Sequence, residues 1–289
     1  MHRKLWLLGA FAALYLATIL SCAAAPLMFH RTRAHADDLQ VGGDLVGVPK
    51  GETRYVSYSD LLKLPQESYT VSDDTNFAGT VTISGVALEK MPALLGASDG
   101  ASMVIAVCDD DYNAHYTAAY FKAHHPLLVL RVNGMPPGQW PIGADGFAMG
   151  PYMVSHPRFV PVFHVLAHAD EAQVPWGVVR LEFRKEAVVY AAIAPRGAQA
   201  QEEAVQQGYR IASQNCFRCH SNAGEGGTKS PKLWHTLAEK AANDPHFFDA
   251  YVRAPKTLNP KSQMAASPQY DERTMAALRA YFTTFTETH

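Results

Sequence analysis

The sequence predicts a multidomain protein: an apolar N-terminal signal or anchor helix, a strand-rich α+β domain, and an all-α domain at the C-terminal end. Three observations carry this expectation. Residues 5–29 contain no charged side chain and follow the cationic start His2-Arg3-Lys4. Between about residues 53 and 183 apolar side chains alternate with period two or form short unbroken runs, the patterns of half-buried and fully buried strands. Beyond residue 201 the apolar period changes to that of helices. With 289 residues, 48% hydrophobic and 18% charged, the chain has room for two ordinary domains and the composition of a globular protein.

Taken in order, the leader has the layout of an export signal, and its 5–29 run exceeds the ~20 residues that span a bilayer. Ile19-Leu20-Ser21-Cys22 approaches a bacterial lipoprotein box except at Leu20, and Ala34-His35-Ala36 offers a late cleavage site. Residues 1–36 are therefore expected to be a signal peptide or membrane anchor that delivers the rest to the periplasmic side of a bacterial cytoplasmic membrane. Residues 30–50 mix charge with glycine and read as a connector. The strand-rich domain is expected over 37–193. Strands are expected at 54–58, 79–84, 102–107, 127–132 and 178–183, with a helical turn at 60–64. A short helix carries Leu88, Met91 and Leu95 on one face. Residues 194–202 lack any apolar period and read as a linker. The helical domain is expected over 203–289. One of its helices presents Val205, Tyr209 and Ala212; another, starting at Asp271, presents Met275, Leu278, Tyr281, Phe282 and Phe285.

Net charge is −2, which gives no reason to expect nucleic-acid binding. The charge is unevenly spread. Residues 37–195 carry ten Lys and Arg against eighteen Asp and Glu, whereas eleven face nine from Arg196 onward.

The helical domain contains Cys216-Phe217-Arg218-Cys219-His220, the C-x-x-C-H pattern of c-type haem attachment. Two thiols separated by two residues can add across the vinyl groups of one porphyrin, and the adjacent His then lies under the iron. Chance placement of 4 Cys and 13 His would produce the pattern roughly 0.002 times. A zinc site would want a second ligand pair, and no Cys follows Cys219. His220 is therefore expected to ligate iron, with its Nδ1 donating to a backbone carbonyl, assigned to Pro231. Met264, in the polar loop Asn259-Pro260-Lys261-Ser262-Gln263-Met264, is the expected second axial ligand; His235 and His246 are alternatives. Lys229, Lys232, Lys256 and Lys261 flank these loops and could steer an acidic redox partner.

Residues 201–289 resemble a small class I c-type cytochrome. The resemblance rests on Gly208-Tyr209, CFRCH, Gly224-Glu225-Gly226-Gly227, Ser230-Pro231-Lys232-Leu233, the Met264 loop and Ala280-Tyr281-Phe282; Ala265 stands where the family often has proline. It implies one covalent haem c with Cys216, Cys219, His220 and Met264 around it, and first and last helices crossing near Gly208, Tyr209 and Tyr281.

Residues from about 55 to 183 resemble the molybdopterin-binding domain of the sulfite oxidase family. The carrying residues are Tyr58-Ser59-Asp60-Leu61-Leu62, Ile83-Ser84-Gly85-Val86-Ala87-Leu88, Val107-Cys108-Asp109-Asp110-Asp111-Tyr112, Leu130-Arg131-Val132-Asn133-Gly134 and Trp176-Gly177-Val178-Val179-Arg180-Leu181. By position, Cys108 falls where that family ligates molybdenum, although acids follow it here. On residue chemistry alone Cys108 reads as a small buried side chain, and Asp109 to Asp111 as a solvated turn. His164 and His168 are spaced to share a helix face suited to a metal, with a strand or loop as the other reading. Two functions follow as expectations. One is an exported, membrane-tethered electron carrier whose strand-rich domain docks or assembles partners; its redox partners would be a donor dehydrogenase or complex and an acceptor oxidase or cytochrome. The other is a molybdenum-dependent periplasmic oxidoreductase, sulfite-dehydrogenase-like, with Cys108 on the metal and the haem as electron acceptor.

Overall fold

Unbroken apolar runs in the sequence become strands covered on both faces, and these organise a curled, strand-rich sheet flanked by helices. The computed structural model describes residues 27–158, 164–165, 168–169 and 172–286. The expectations for the leader, including Cys22, fall mainly on residues 1–26 and lie outside the described residues. In chain order come β1 (Phe29–His30), β2 (Leu39–Gly43), β3 (Arg54–Val56), the one-turn helix α1 (Tyr58–Leu61), β4 (Glu67–Val71) and β5 (Val81–Ala87). A 3₁₀ turn (Leu88–Lys90) runs into α2 (Met91–Leu94), followed by β6 (Met103–Cys108), β7 (Asn113–Thr117), α3 (Ala118–His124), β8 (Leu127–Val132) and β9 (Tyr152–Ser155). The short β10 (His164–Val165) and β11 (His168–Ala169) precede the long β12 (Trp176–Arg184) and α4 (Glu186–Ala191). Five helices follow: α5 (Glu203–Asn215), α6 (Trp234–Asn243), α7 (Pro245–Arg253), α8 (Pro255–Leu258) and α9 (Glu272–Thr283).

Strand β12 is the hub of the sheet. It pairs antiparallel with β6 from Val178 to Arg184, parallel with β2 from Arg180 to Phe183, and antiparallel with β9 at Trp176 and Val178. The overlap of these ranges puts β6 on one edge and β2 with β9 on the other. From there the order runs β12-β9-β8-β5-β4 in one direction and β12-β2-β3-β1 in the other, while β6 carries β7 outward. All six residues of β6 are buried. Val104, Ala106 and Cys108 join the core between the sheet and α1 to α3, while Met103, Ile105 and Val107 join a second core made with α4, α5, α6, α7 and α9. Burial on both faces is why the strand reads as a continuous apolar run and not an alternating one.

The second core crosses the segment expected to be a linker. Val189 and Ile193 pack with Val205, Ile211, Phe217, Trp234, Tyr281 and Phe282, and the Tyr281 hydroxyl donates to the Ile193 carbonyl at 2.6 Å. The helical half thus shares its core with one face of β6. Within it α5 and α9 cross where a glycine allows contact: a Cβ on Gly208 would lie 2.0 Å from the Ala277 carbonyl oxygen. Tyr209 and Tyr281 meet beside the crossing, their ring centroids 5.7 Å apart. Asp271 caps α9 by accepting from the Thr274 amide at 2.8 Å, which satisfies one of the helix's unpaired N-terminal donors.

One sequence expectation is corrected, and one pair of open readings is resolved. The connector expected at 30–50 contains the end of β1 and all of β2, because His30 pairs with Tyr55 and Leu39 and Val41 are buried. The buried Asp38 carboxylate also accepts from the amides of Ala34 at 2.7 Å and His35 at 2.9 Å, so the late cleavage site sits in ordered chain. His164 and His168 are on paired strands, His164 opposite Ala169 and Val165 opposite His168, and not on one helix face. Among the described residues no helix is long and apolar enough to cross a membrane.

Replacing Gly208 with Ala overpacks the α5–α9 crossing and is expected to destabilise the protein by about 1–3 kcal/mol. Gly79→Ala, where an added Cβ meets nothing within 4 Å, serves as the control. Denaturant midpoints for the two variants check this, and equal midpoints would contradict the crossing geometry.

Candidate functional site

The attachment motif continues α5 by one further turn. Cys216 ends the helix, and the amides of Cys219 and His220 both donate to its carbonyl, at 3.1 and 2.9 Å. Residues i, i+3 and i+4 of such a turn share a face, so both thiols and the imidazole project together. Both cysteines are free. The two residues between them are used elsewhere. Phe217 is fully buried, edge-on to Trp234 at 5.6 Å and stacked on His115 at 5.2 Å. Arg218 is directed to the strand-rich half.

His220 Nδ1 lies 2.7 Å from the carbonyl oxygen of Lys232, one residue beyond the Pro231 expected from the sequence. Two backbone bonds set this register. Ser230 donates to the Cys219 carbonyl at 2.9 Å and Trp234 to the Ser221 carbonyl at 3.1 Å, so Lys232, midway between them, faces His220. A carbonyl can only accept, which places the imidazole proton on Nδ1 and leaves the Nε2 lone pair free. Burial lowers the His220 pKa against the opposing effect of this hydrogen bond.

Met264 is half-buried on a loop held by Ser262, whose hydroxyl accepts from the Met264 amide at 3.2 Å and meets the Tyr251 hydroxyl at 3.1 Å. Its side chain lines a cleft of about 400 Å³ with Ala254, Pro255, Lys256, Gln263, Ala265 and Ala266. No residue of CFRCH lines that cleft. Leu258, at the end of α8, and Leu233, next to Lys232, are each 47% exposed although apolar. Two free thiols at i and i+3 with an imidazole held through its Nδ1 fit a covalently held haem. His235 and His246 are exposed on α6 and α7.

The attachment loop is bonded to the strand-rich half at several points. The Asn113 amide donates to the Arg218 carbonyl at 2.9 Å, and its side-chain amide donates to the Gly226 carbonyl at 3.0 Å. The Arg218 guanidinium donates to the Tyr112 hydroxyl at 3.1 Å. Thr228 donates to the Asp111 carbonyl at 3.1 Å, Lys229 pairs with Asp110, and Glu225 with Arg184. Asn222 reaches the Ala192 carbonyl at 2.7 Å. The return of the loop needs glycine, since a Cβ on Gly227 would lie 1.8 Å from the Arg218 carbonyl oxygen. Asp109 to Asp111 are exposed as expected of a turn, yet the turn also receives the loop. Tyr112, Asn113 and Arg218 were not singled out as site residues in the sequence; only the polar Tyr-Asn pair directly after the acids hinted at them.

Cys108 closes β6 at the wall of a smaller cleft, about 220 Å³, shared with Asn76, Asp110, Tyr112, Trp176 and Lys229 among others. Burial, Asp110 and Asp109 push the Cys108 thiol far above its ordinary pKa, so it is protonated at neutral pH. The cationic wall residue, Lys229, is already paired with Asp110. A metal would itself deprotonate the thiol it binds, whereas a pterin phosphate wants unpaired cations. The described residues of this cleft therefore offer a thiol but no unpaired cation for a pterin phosphate. Among the described residues no cluster of three or more His, Cys, Asp or Glu could hold a metal ion.

No family model matches the chain, and no curated protein matches it. Among solved structures it is similar to the sulfane dehydrogenase SoxCD from Paracoccus pantotrophus, with 13% identity, 57% of this chain covered and a TM-score of 0.36. The match spans 43% of that chain, less than half its length.

Burial holds the pKa of His115 and His156 at about 3, below the ordinary 6.5, and neither ring nitrogen of His115 has a partner among the described residues. Each ring is neutral when folded and takes a proton below pH 6.5 when unfolded. Stability is therefore full above 6.5 and falls as the pH drops from 6.5 toward 3, by about 1.4 kcal/mol per pH unit for each histidine. Denaturant melts between pH 6.5 and 4.5, ~2 units, are expected to show this slope, and His115→Phe is expected to remove one histidine's share. An unchanged slope would place the His115 proton elsewhere.

Proposed function

We propose that the protein is an exported, membrane-tethered carrier of single electrons, with one haem c attached through Cys216 and Cys219 in a helical domain at 203–289. The observation that carries this reading is the turn that aligns two free thiols with an imidazole whose Nδ1 is held by the Lys232 carbonyl. Bound there, haem iron supplies a one-electron couple, and His with Met ligation favours the reduced state. The chain does the rest. Lys232 fixes the orientation of the His220 ring, and Ser262 and Tyr251 hold the loop that presents Met264. Phe217 and Trp234 exclude water beneath the attachment turn. Lys232, Lys256 and Lys261 are exposed and suit an acidic redox partner, a donor dehydrogenase or an acceptor oxidase, on the periplasmic side of the membrane. The strand-rich domain at 37–193 holds the attachment loop in place.

The other reading is a molybdenum-dependent oxidoreductase. It is favoured by one observation: the Cys108 cleft shares Lys229 with the attachment loop, which would put a redox site beside a haem. The paired lysine counts against it, since it leaves no unpaired cation among the described lining residues for a pterin phosphate.

Expression alongside c-type haem maturation decides between them. Wild-type protein is expected to keep haem through denaturation, and Cys216→Ala with Cys219→Ala to lose it. Met264→Ala is expected to lose the weak red absorption band of thioether-ligated ferric haem; survival of the band would remove Met264 from the iron. Metal analysis is expected to find iron alone. One molybdenum per haem, abolished in Cys108→Ala, would establish the oxidoreductase instead.

A further inference from the structure

We infer that the turn between β6 and β7 is a clamp on the attachment loop, and that Tyr112 and Asn113 are positioning residues for a haem held there. The inference rests on the haem reading above and deepens it by assigning the strand-rich half a role at the redox centre.

The contacts are concentrated on the two residues that matter most for the motif's shape. Arg218 lies between the attachment cysteines. Its carbonyl accepts from the Asn113 amide at 2.9 Å, and its guanidinium donates to the Tyr112 hydroxyl at 3.1 Å. The loop's return limb is bonded through the Gly226 carbonyl to the Asn113 side chain at 3.0 Å and through the Thr228 amide to the Asp111 carbonyl at 3.1 Å. Residues 111–113 thus hold both limbs at once. Asp110, Tyr112 and Asn113, beside Cys108, are bonded to the loop through their side chains.

The clamp has an electrostatic consequence. Arg218 is buried, and a cation held against the attachment turn disfavours ferric iron relative to ferrous. Releasing it toward water weakens that effect. Tyr112→Phe keeps the ring and removes the hydroxyl. The expected result is a fall in the ferrous-to-ferric ratio at a fixed ambient potential, on the order of threefold. Amide hydrogen exchange across residues 217–229 is expected to quicken by about tenfold or more as the loop opens locally. Asp110→Asn, which breaks the exposed Lys229 pair, is a second variant in case Tyr112→Phe folds poorly, and is expected to quicken exchange in the same segment. Tyr69→Phe removes a hydroxyl that bonds Glu67, away from the loop, and is expected to leave both readings unchanged.

Covalent haem is counted first by its spectrum in alkaline pyridine. With haem present, an altered ratio and faster exchange in Tyr112→Phe support the clamp; wild-type values for both overturn it. If wild-type protein carries no haem, the electron-carrier reading fails. Exchange then decides the clamp alone, with faster exchange in the variants supporting it as a loop clamp and unchanged exchange overturning it.

Discussion

Burial of both faces of β6 is the constraint on which the rest of this structure depends. One face packs into the core under α1 to α3, and the other, Met103, Ile105 and Val107, needs a second cover. The helical half supplies it. Full burial of a side chain of this size is worth about 1.5–3 kcal/mol, so these three outweigh any single hydrogen bond across the boundary, about 0.5–1.5 kcal/mol net. Apolar area therefore decides that the two halves stay together.

Polar contacts then decide how they meet. Apolar surfaces slide at little cost, whereas backbone bonds such as Asn113 to Arg218 and Thr228 to Asp111 fix a register. The aromatic stack continues across the same seam, from His115 to Phe217 to Trp234, and Trp234 touches Tyr281 and Phe282 of α9. A displacement of β7 is thus transmitted to the attachment turn by contact. The same packing explains why His115 stays neutral: an imidazole between Phe217 and Tyr190 has no solvent to share a charge with.

The sequence announced its elements more clearly than their partners. Runs at 127–132 and 178–183 declared buried strands because apolar period is local, and Asp271 declared a helix start because such signals are local as well. The parallel pairing of β12 with β2, separated by most of the strand-rich half, had no local signal. Nor did the covering of β6: six consecutive apolar residues say that both faces are buried without saying by what. CFRCH and its His220 were legible because thiol and imidazole spacing is itself the chemistry. The carbonyl partner was missed by one residue, since two backbone bonds at Ser230 and Trp234 set it. The connector at 30–50 hid two strands because its charged and glycine residues outnumber the few, Leu39 and Val41 among them, that are buried.

The opposite charge of the two halves takes on a different meaning in the folded chain. An acidic strand-rich half and a basic helical half suggested a surface for an outside partner. Part of that difference is consumed internally, where Asp110 meets Lys229; Arg184 meets Glu225 with the signs reversed. Exposed pairs of this kind add little stability, and their value here is orientational, since each ties the attachment loop to a different part of the strand-rich half. The lysines left exposed, Lys232, Lys256 and Lys261, cluster by sequence around the His220 carbonyl partner and the Met264 loop. The unpaired lysines are thus kept near the residues that would ligate iron, where long-range attraction to an acidic partner acts on encounter.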